Sequence, residues 1–277
     1  METLTNWYKL WAQLSDIQNR AFARKKEHRD DDFWKHKAKD FDKMVDERWS
    51  KPDSSRDFLI QKLKDNPDST LLDIGAGTGK WSMLASPYVA KVTAFEPSSA
   101  MQQVLRQKMK EENITNIDIV TGTWPKDDAL PHDYILASHS MYGVEDFKIF
   151  VKKMSATATK ACIMVLRVPF VDSVMAIAAR KVFGQPYDSP NFQIAYNALL
   201  GMDIYPDIIM EEDGNWPSWT HDSFKEAFDE LKNRLDLAGS LKYDGFLLDL
   251  LEKNLTLEQG KYVWPSGNRS ALVYWEV

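Results

Sequence analysis

The chain has 277 residues, 44% hydrophobic and 27% charged, a composition of globular domains that excludes collagen-like, disordered and membrane-spanning chains. Its net charge of -6 gives no long-range attraction to phosphate backbones or anionic membranes, so neither a nucleic acid nor a membrane is expected as a partner. One cysteine forms neither an internal disulfide nor a cysteine-rich metal cage.

The opening METLTNWYKLWAQL lacks the basic start and apolar run of a secretory signal, so a cytoplasmic protein is expected. Residues 4–49 have helical texture: Trp7, Leu10, Trp11, Leu14 and Ile17 recur at helix-face spacing, and Phe33, Trp34, Lys37, Phe41, Met44 and Val45 mark a second stretch. The run RKKEHRDDD between them reads as a solvated face or a mixed-charge turn. Lys51, Pro52 and Asp53 look like a boundary, and residues 53–69 like a short helix stopped at Asn66-Pro67. Strand and helix then alternate: TLLDIG, GKWSMLASPY, KVTAFEP and SSAMQQVLRQKMKEEN, followed by the strands NIDIVTG, HDYILAS and ATKACIMVLRV with a helix over residues 143–154. Five strands in this rhythm imply a mostly parallel sheet covered on both faces, with ligands outside the carboxyl ends of its strands. After Pro169 the pattern predicts helices over 171–184, 191–202, 221–235 and 241–255, a sixth strand in YPDIIMEE and a last one in SALVYWEV. The segment KYVWPSGNRSALVYWEV reads as a hairpin-like return.

The strongest local signal is LLDIGAGTGKW, where Gly75, Gly77 and Gly79 follow an apolar strand and open a helix. Glycine there permits a tight turn and close backbone approach to a ligand. About twenty residues on, Glu96 ends the next strand, where a carboxylate can accept the ribose hydroxyls of an adenosine ligand. A dinucleotide fingerprint requires Gly or Ala at the sixth position, where Lys80 stands, and a phosphate loop requires Ser or Thr where Trp81 stands.

The turn with Asp73, Gly75, Gly77 and Gly79, followed by Glu96, resembles motifs I and II of class I S-adenosylmethionine-dependent methyltransferases of the small-molecule type. The likeness covers about residues 33–168. It implies a Rossmann-like three-layer α/β sandwich whose seven-stranded, mostly parallel sheet has the order 3-2-1-4-5-7-6, with SALVYWEV inserted beside strand 5. It also implies S-adenosylmethionine as cofactor and S-adenosylhomocysteine as product. Residues 1–52 would be an N-terminal helical lid and 53–277 the methyltransferase domain, with a substrate-chamber insertion at about 169–260. By the same likeness Asp73 serves the turn and the methionine amino end, Gly75, Ala76, Gly77 and Gly79 bring backbone to the cofactor, and Glu96 holds the ribose. Pro97, Met101, Thr123, Trp124 and Ser138 complete the cofactor site. Thr123 departs from the acidic residue many relatives carry, which leaves adenine reading to backbone, Asp127 or Asp128.

Methyl transfer needs alignment, exclusion of water and removal of a proton only when the nucleophile carries one. His139 and Tyr142 in ASHSMYGVED are the catalytic candidates. His139 is open between a general base and a satisfied loop histidine, Tyr142 between substrate orientation and packing, and Arg167 between a substrate carboxylate and a surface ion pair. Cys162 in ACIMVL reads as a buried thiol, and nothing in the sequence forms a metal-ligand cluster. The absence of an Asn/Asp-Pro-Pro-Tyr/Phe run turns the expectation toward a small organic substrate; the oligomeric state is left open. Trp7, Tyr8 and Trp11 are assigned either to an apolar lid packed by Trp34 and Phe41 or to the core. Met175, Tyr196, Met202, Trp216 and Trp219 are assigned to a substrate chamber or a small core of their own. The competing functions are a nicotinamide-dependent oxidoreductase and a noncatalytic cofactor-binding or interaction protein.

Overall fold

The computed structural model describes residues 5–26, 34, 37–212, 216–265 and 269–277, so Phe33 and most of the mixed-charge run lie outside the described residues. Among the described residues three helices precede the first strand: α1 (Trp7–Lys26), α2 (Ala38–Trp49) and α3 (Ser54–Lys64). Asp53 starts α3 by accepting hydrogen bonds from the Ser55 and Arg56 N–H groups, which have no partner within the helix. The alternating segment folds as β1 (Thr70–Ile74), α4 (Lys80–Ala85), β2 (Lys91–Phe95), α5 (Ser99–Glu111), β3 (Ile117–Val120), β4 (His132–Ser138), α6 (Phe147–Thr157) and β5 (Ala158–Val168). Beyond it come α7 (Val174–Phe183), α8 (Phe192–Leu200), β6 (Asp207–Met210), β7 (Thr220–His221), α9 (Phe224–Arg234), α10 (Asp244–Asn254), β8 (Thr256–Glu258), β9 (Lys261–Val263) and β10 (Arg269–Glu276).

The main sheet has the order β3-β2-β1-β4-β5-β10-β6, which is the expected 3-2-1-4-5-7-6. β10 runs antiparallel to both neighbours, with Val273 opposite Met164 on one side and Ile208 on the other. Period-two alternation sends successive side chains to opposite faces. Leu72, Ile74, Ile135, Met164 and Val273 pack under α1, α6 and α8, while Leu71, Val92, Leu136, Ile163 and Leu272 pack under α3 to α5. The sheet is thus buried on both faces, as its unbroken apolar runs require.

One expectation changes. The hairpin-like return does not form: β9 pairs with β8 and β7 in a separate three-stranded sheet, and β10 leaves for the main sheet. Continuous burial over Ser270–Trp275 suits a strand inside a layered sheet, whereas β8 is exposed throughout and suits a surface ribbon. Of the two alternatives for the early aromatics, lid or core, Trp7, Tyr8 and Trp11 take the core. Trp11 is fully buried, donates its indole N–H to the Val144 carbonyl at 2.8 Å and packs its ring 4.2 Å from that of Phe147. Tyr8 donates to the Ala198 carbonyl, and Trp7 packs against the same core. These three rings attach α1 to the sheet. A third core joins α7, α9 and α10 through Val174, Ala178, Leu231, Leu247, Leu251 and Trp264.

Candidate active site

The turn after β1 is built by glycine. Gly77 has φ +58° with open space where a Cβ would stand, and its N–H donates to the Glu96 carboxylate at 2.9 Å. Gly79 has φ +82°, and a Cβ there would lie 2.1 Å from Leu105 of α5. The close helix contact absent at Lys80 is therefore made one residue earlier. Gly79 packs the turn and does not face the cavity, whereas Gly75, Ala76 and Gly77 do.

That cavity has a volume of ≈ 580 Å³ and opens above the carboxyl ends of β1, β2 and β4. Of the eleven cofactor residues expected, Asp73, Gly75, Ala76, Gly77, Glu96, Pro97, Met101, Thr123, Trp124 and Ser138 line it, together with His139 and Tyr142. Asp127 and Asp128 do not: Asp127 accepts the Thr123 N–H and Asp128 pairs with Lys153 outside. Glu96 is buried and also accepts the Ser98 N–H at 2.8 Å. Asp73 is buried beneath the turn, accepting a hydrogen bond from the Ser82 hydroxyl at 2.7 Å. Burial pushes its carboxyl up to about 7, against the Ser82 hydrogen bond and with a smaller push from Glu96.

The opposite wall is apolar and comes from α1, α2 and their connection: Phe22, Trp34, Phe41, Met44, Val45 and Trp49, with Trp216 from beyond β6. The aromatic wall is thus supplied by the second half of the N-terminal region, not by Trp7, Tyr8 and Trp11. The chamber set divides as well. Trp216 lines this cavity, Met175 and Trp219 line a separate one of ≈ 310 Å³, Tyr196 packs on Phe192, and Met202 joins the first core.

Arg48 was not anticipated. It is buried, donates from one terminal nitrogen to both Glu211 oxygens at 3.0 Å and lies 4.0 Å above the Trp216 ring. It links α2 to the residue following β6 and to Ser270 on β10. Position 48, the pair 211 and 216, and position 270 are far apart in the chain, and nothing in their local patterns joins them.

Hydrogen-bond direction fixes the state of His139. Arg48 and the Trp216 indole can only donate, and both point to the Ser270 hydroxyl, at 3.2 and 3.1 Å. Ser270 then gives its own proton to Nε2 of His139, 3.3 Å away, and Arg48 approaches the same nitrogen at 3.4 Å. Nδ1 is therefore the protonated nitrogen and donates to the Tyr142 hydroxyl at 2.8 Å. That hydroxyl also accepts the Arg167 backbone N–H at 2.7 Å, which leaves its own proton to be donated. Burial, then Arg48 and Arg167, hold the His139 pKa well below the usual imidazole value, so the ring is neutral at pH 7. Its φ of +54° is uncommon for a side-chain-bearing residue, and its N–H donates to the Val165 carbonyl.

Residues 41–231 match the methyltransferase domain family. The chain belongs to that family. Its topology is that of the class I S-adenosylmethionine-dependent methyltransferases, whose cofactor is S-adenosylmethionine and whose product is S-adenosylhomocysteine. The structure of a protein described as a putative methyltransferase from Bacillus halodurans is similar over 80% of this chain and 98% of its own, with 13% identity and a TM-score of 0.54. The YcgJ protein of Bacillus subtilis is similar over 80% and 97%, with 15% identity and a TM-score of 0.51; both likenesses concern the fold. Among curated relatives, a probable ribosomal RNA small subunit methyltransferase A of Methanosphaera stadtmanae is 30% identical over 30% of this chain and 28% of its own length. An uncharacterized Haemophilus influenzae protein is 28% identical over 43% and 44%. The matched region thus spans less than half of either relative. Among the described residues no acidic, His or Cys cluster fits a metal ion, and no helix is long and apolar enough to cross a membrane.

Proposed function

We propose that the protein methylates a small, largely apolar organic molecule. One observation carries the reading: a single ≈ 580 Å³ cavity joins the glycine turn and Glu96 on one side to an aromatic and aliphatic wall on the other. The residues present fit the cofactor, since Gly75 and Gly77 expose backbone to the cavity and two buried carboxylates, Asp73 and Glu96, stand at its floor. Glu96 would hold the ribose hydroxyls, Asp73 the methionine amine, and Thr123, Trp124, Pro97 and Met101 the base. When bound, S-adenosylmethionine supplies a methyl group already activated on a sulfonium.

The chain's own contribution is orientation and exclusion of water. Trp34, Phe41, Met44, Val45 and Trp216 would cover the reacting atoms and remove solvent that disperses charge. Tyr142 presents the unspent hydroxyl proton to the accepting molecule, and His139 acts through it as a positioning residue, because its acceptor nitrogen is taken by Ser270 and Arg48. The resemblance of one segment to a ribosomal RNA methyltransferase is outweighed by the net charge of -6 and the apolar wall, neither of which suits a phosphate backbone.

Calorimetry with S-adenosylmethionine, S-adenosylhomocysteine and NAD, followed by transfer of labelled methyl from the cofactor into a metabolite extract, tests the reading. Binding of the first two with label appearing in a small product is expected. Binding of NAD alone would replace it with a nicotinamide enzyme, and cofactor binding without any labelled product would replace it with a noncatalytic binder.

A further inference from the structure

Two smaller cavities follow the main one in a row, the middle one adjoining both. A cavity of ≈ 160 Å³ shares Gln18 and Phe22 of α1 with the main cavity, and the ≈ 310 Å³ cavity shares Arg167, Asp188 and Ser189 with that middle one. The three spaces are thus separated by single layers of side chains. At the first partition the Gln18 carbonyl oxygen is buried with no hydrogen-bond partner.

The charges of the middle cavity are asymmetric in their use. Four ionisable side chains face it: Arg167, Arg234, Asp188 and Glu230. Arg234 pairs with Glu230 at 2.8 Å and stacks at 4.0 Å on Trp219. Arg167 has no carboxylate at ion-pair distance among the described residues, and Asp188 has no cation. Both are partly buried. The Arg167 guanidinium is instead held over the Tyr142 ring at 5.0 Å, with its backbone N–H on that residue's hydroxyl. A cation and an anion that do not pair with each other therefore face one small space, next to the tyrosine assigned to the accepting molecule.

We propose that this middle cavity is a subsite for the zwitterionic end of the methyl-accepting substrate, with Arg167 taking a carboxylate and Asp188 an amine. The rest of the substrate, a side chain that is apolar apart from the group accepting the methyl, passes Gln18 and Phe22 into the main cavity, and the Gln18 carbonyl oxygen accepts a further hydrogen bond from the amine at the passage. The substrate class is then an amino acid whose large, mainly apolar side chain carries the accepting O–H or N–H group: the new bond from that atom to the methyl carbon forms as the methyl–sulfur bond breaks, S-adenosylhomocysteine is the leaving group, and the acceptor's proton passes to solvent. This inference rests on the methyltransferase reading and deepens it.

The test uses the full chain saturated with S-adenosylhomocysteine and titrates L-phenylalanine, L-tyrosine, L-tryptophan and L-leucine, each beside its decarboxylated amine and its des-amino acid. At least one amino acid is expected to bind about tenfold tighter than both of its truncated forms, the loss that removing one charge-assisted hydrogen bond produces. Arg167→Met is expected to abolish only the preference for the carboxylate and Asp188→Asn only that for the amine. Unchanged S-adenosylhomocysteine affinity in each variant reports an intact fold. Equal binding of whole and truncated probes, absence of binding by every amino acid, or variants that leave the preferences intact would overturn the subsite. Failure of S-adenosylhomocysteine itself to bind would instead overturn the methyltransferase reading, so the two failures are distinct.

Discussion

Asp73 illustrates how a position named by spacing acquires chemistry from burial. Its carboxyl, raised to about 7, holds its proton in the folded protein at pH values where the unfolded chain has lost it. The sign follows: the folded state binds more protons between about pH 4 and 7, so this residue's contribution to stability falls as pH rises through that window. A cationic amine placed beside it favours the charged form and expels the proton. Cofactor binding near pH 6.5 is therefore expected to release protons, seen as a calorimetric enthalpy that varies with the buffer's ionisation enthalpy. Asp73→Asn should remove that variation, and a buffer-independent enthalpy in the unaltered protein would contradict the assignment. For His139 the low pKa predicts no fall in turnover between pH 8 and 6 attributable to its protonation. His139→Ala should slow kcat through a loosened Tyr142 while leaving the profile in that range unchanged. An acidic limb near pH 6.5 that vanishes in this variant would restore the base. Most of this set was legible because motif residues cluster on three strand ends, and Trp216 was named as a chamber or core residue; Arg48 and Ser270, and their link to Trp216, were not legible, because only the assembled sheet brings them together.

The helices before β1 show why local pattern alone does not assign a role. Both α1 and α2 have aromatic faces, yet α1 turns Trp11 and Leu14 into the core while α2 turns Phe41, Met44 and Val45 to the cavity. Helical periodicity marks an apolar face but not what meets it. Trp11→Ala is expected to destabilise the protein by about 3–5 kcal/mol, the range for emptying a large buried aromatic site, and to leave S-adenosylhomocysteine affinity unchanged. Phe41→Ala should do the reverse, with a small shift in denaturation midpoint and a clear loss of ligand affinity. Equal effects of the two in both measurements would remove the division of labour. The strand order was legible only through the resemblance to class I methyltransferases, while the strands themselves were legible for a related reason. A strand buried on both faces, such as β10, announces itself by an unbroken apolar run, whereas the exposed β8 and the half-exposed β9 have no such run, and their pairing is decided by partners distant in sequence.

At the scale of the molecule, two cores fill the faces of the main sheet and a third stands under α7, α9 and α10, so most of the fold is stable without a ligand. The exception is α2. Its buried positions are Ala38, Asp42 and Arg48, and it is fastened by ion pairs: Arg48 to Glu211, Asp42 to Lys108 and Asp46 to Lys80. Trp49 packs on Trp81 and Phe41 on Trp34, but Met44 and Val45 meet the cavity, as do the remaining faces of both rings, so part of the surface that the helix would bury is supplied by whatever occupies it. A helix with little of its own apolar burial opens at low free-energy cost, and a ligand binding only the closed form stabilises it by about 2.7 kcal/mol at a hundredfold excess over Kd. Amide hydrogen exchange should therefore slow strongly over residues 38–49 on saturation with S-adenosylhomocysteine, together with 74–79 and 138–143. Residues 224–254, which belong to the third core and do not line the main cavity, should exchange as before. Protection spread evenly over the chain would mean that the ligand stabilises only global folding. Unchanged exchange in α2 alone would mean that the helix closes the cavity permanently, and that its ion pairs suffice to hold it there.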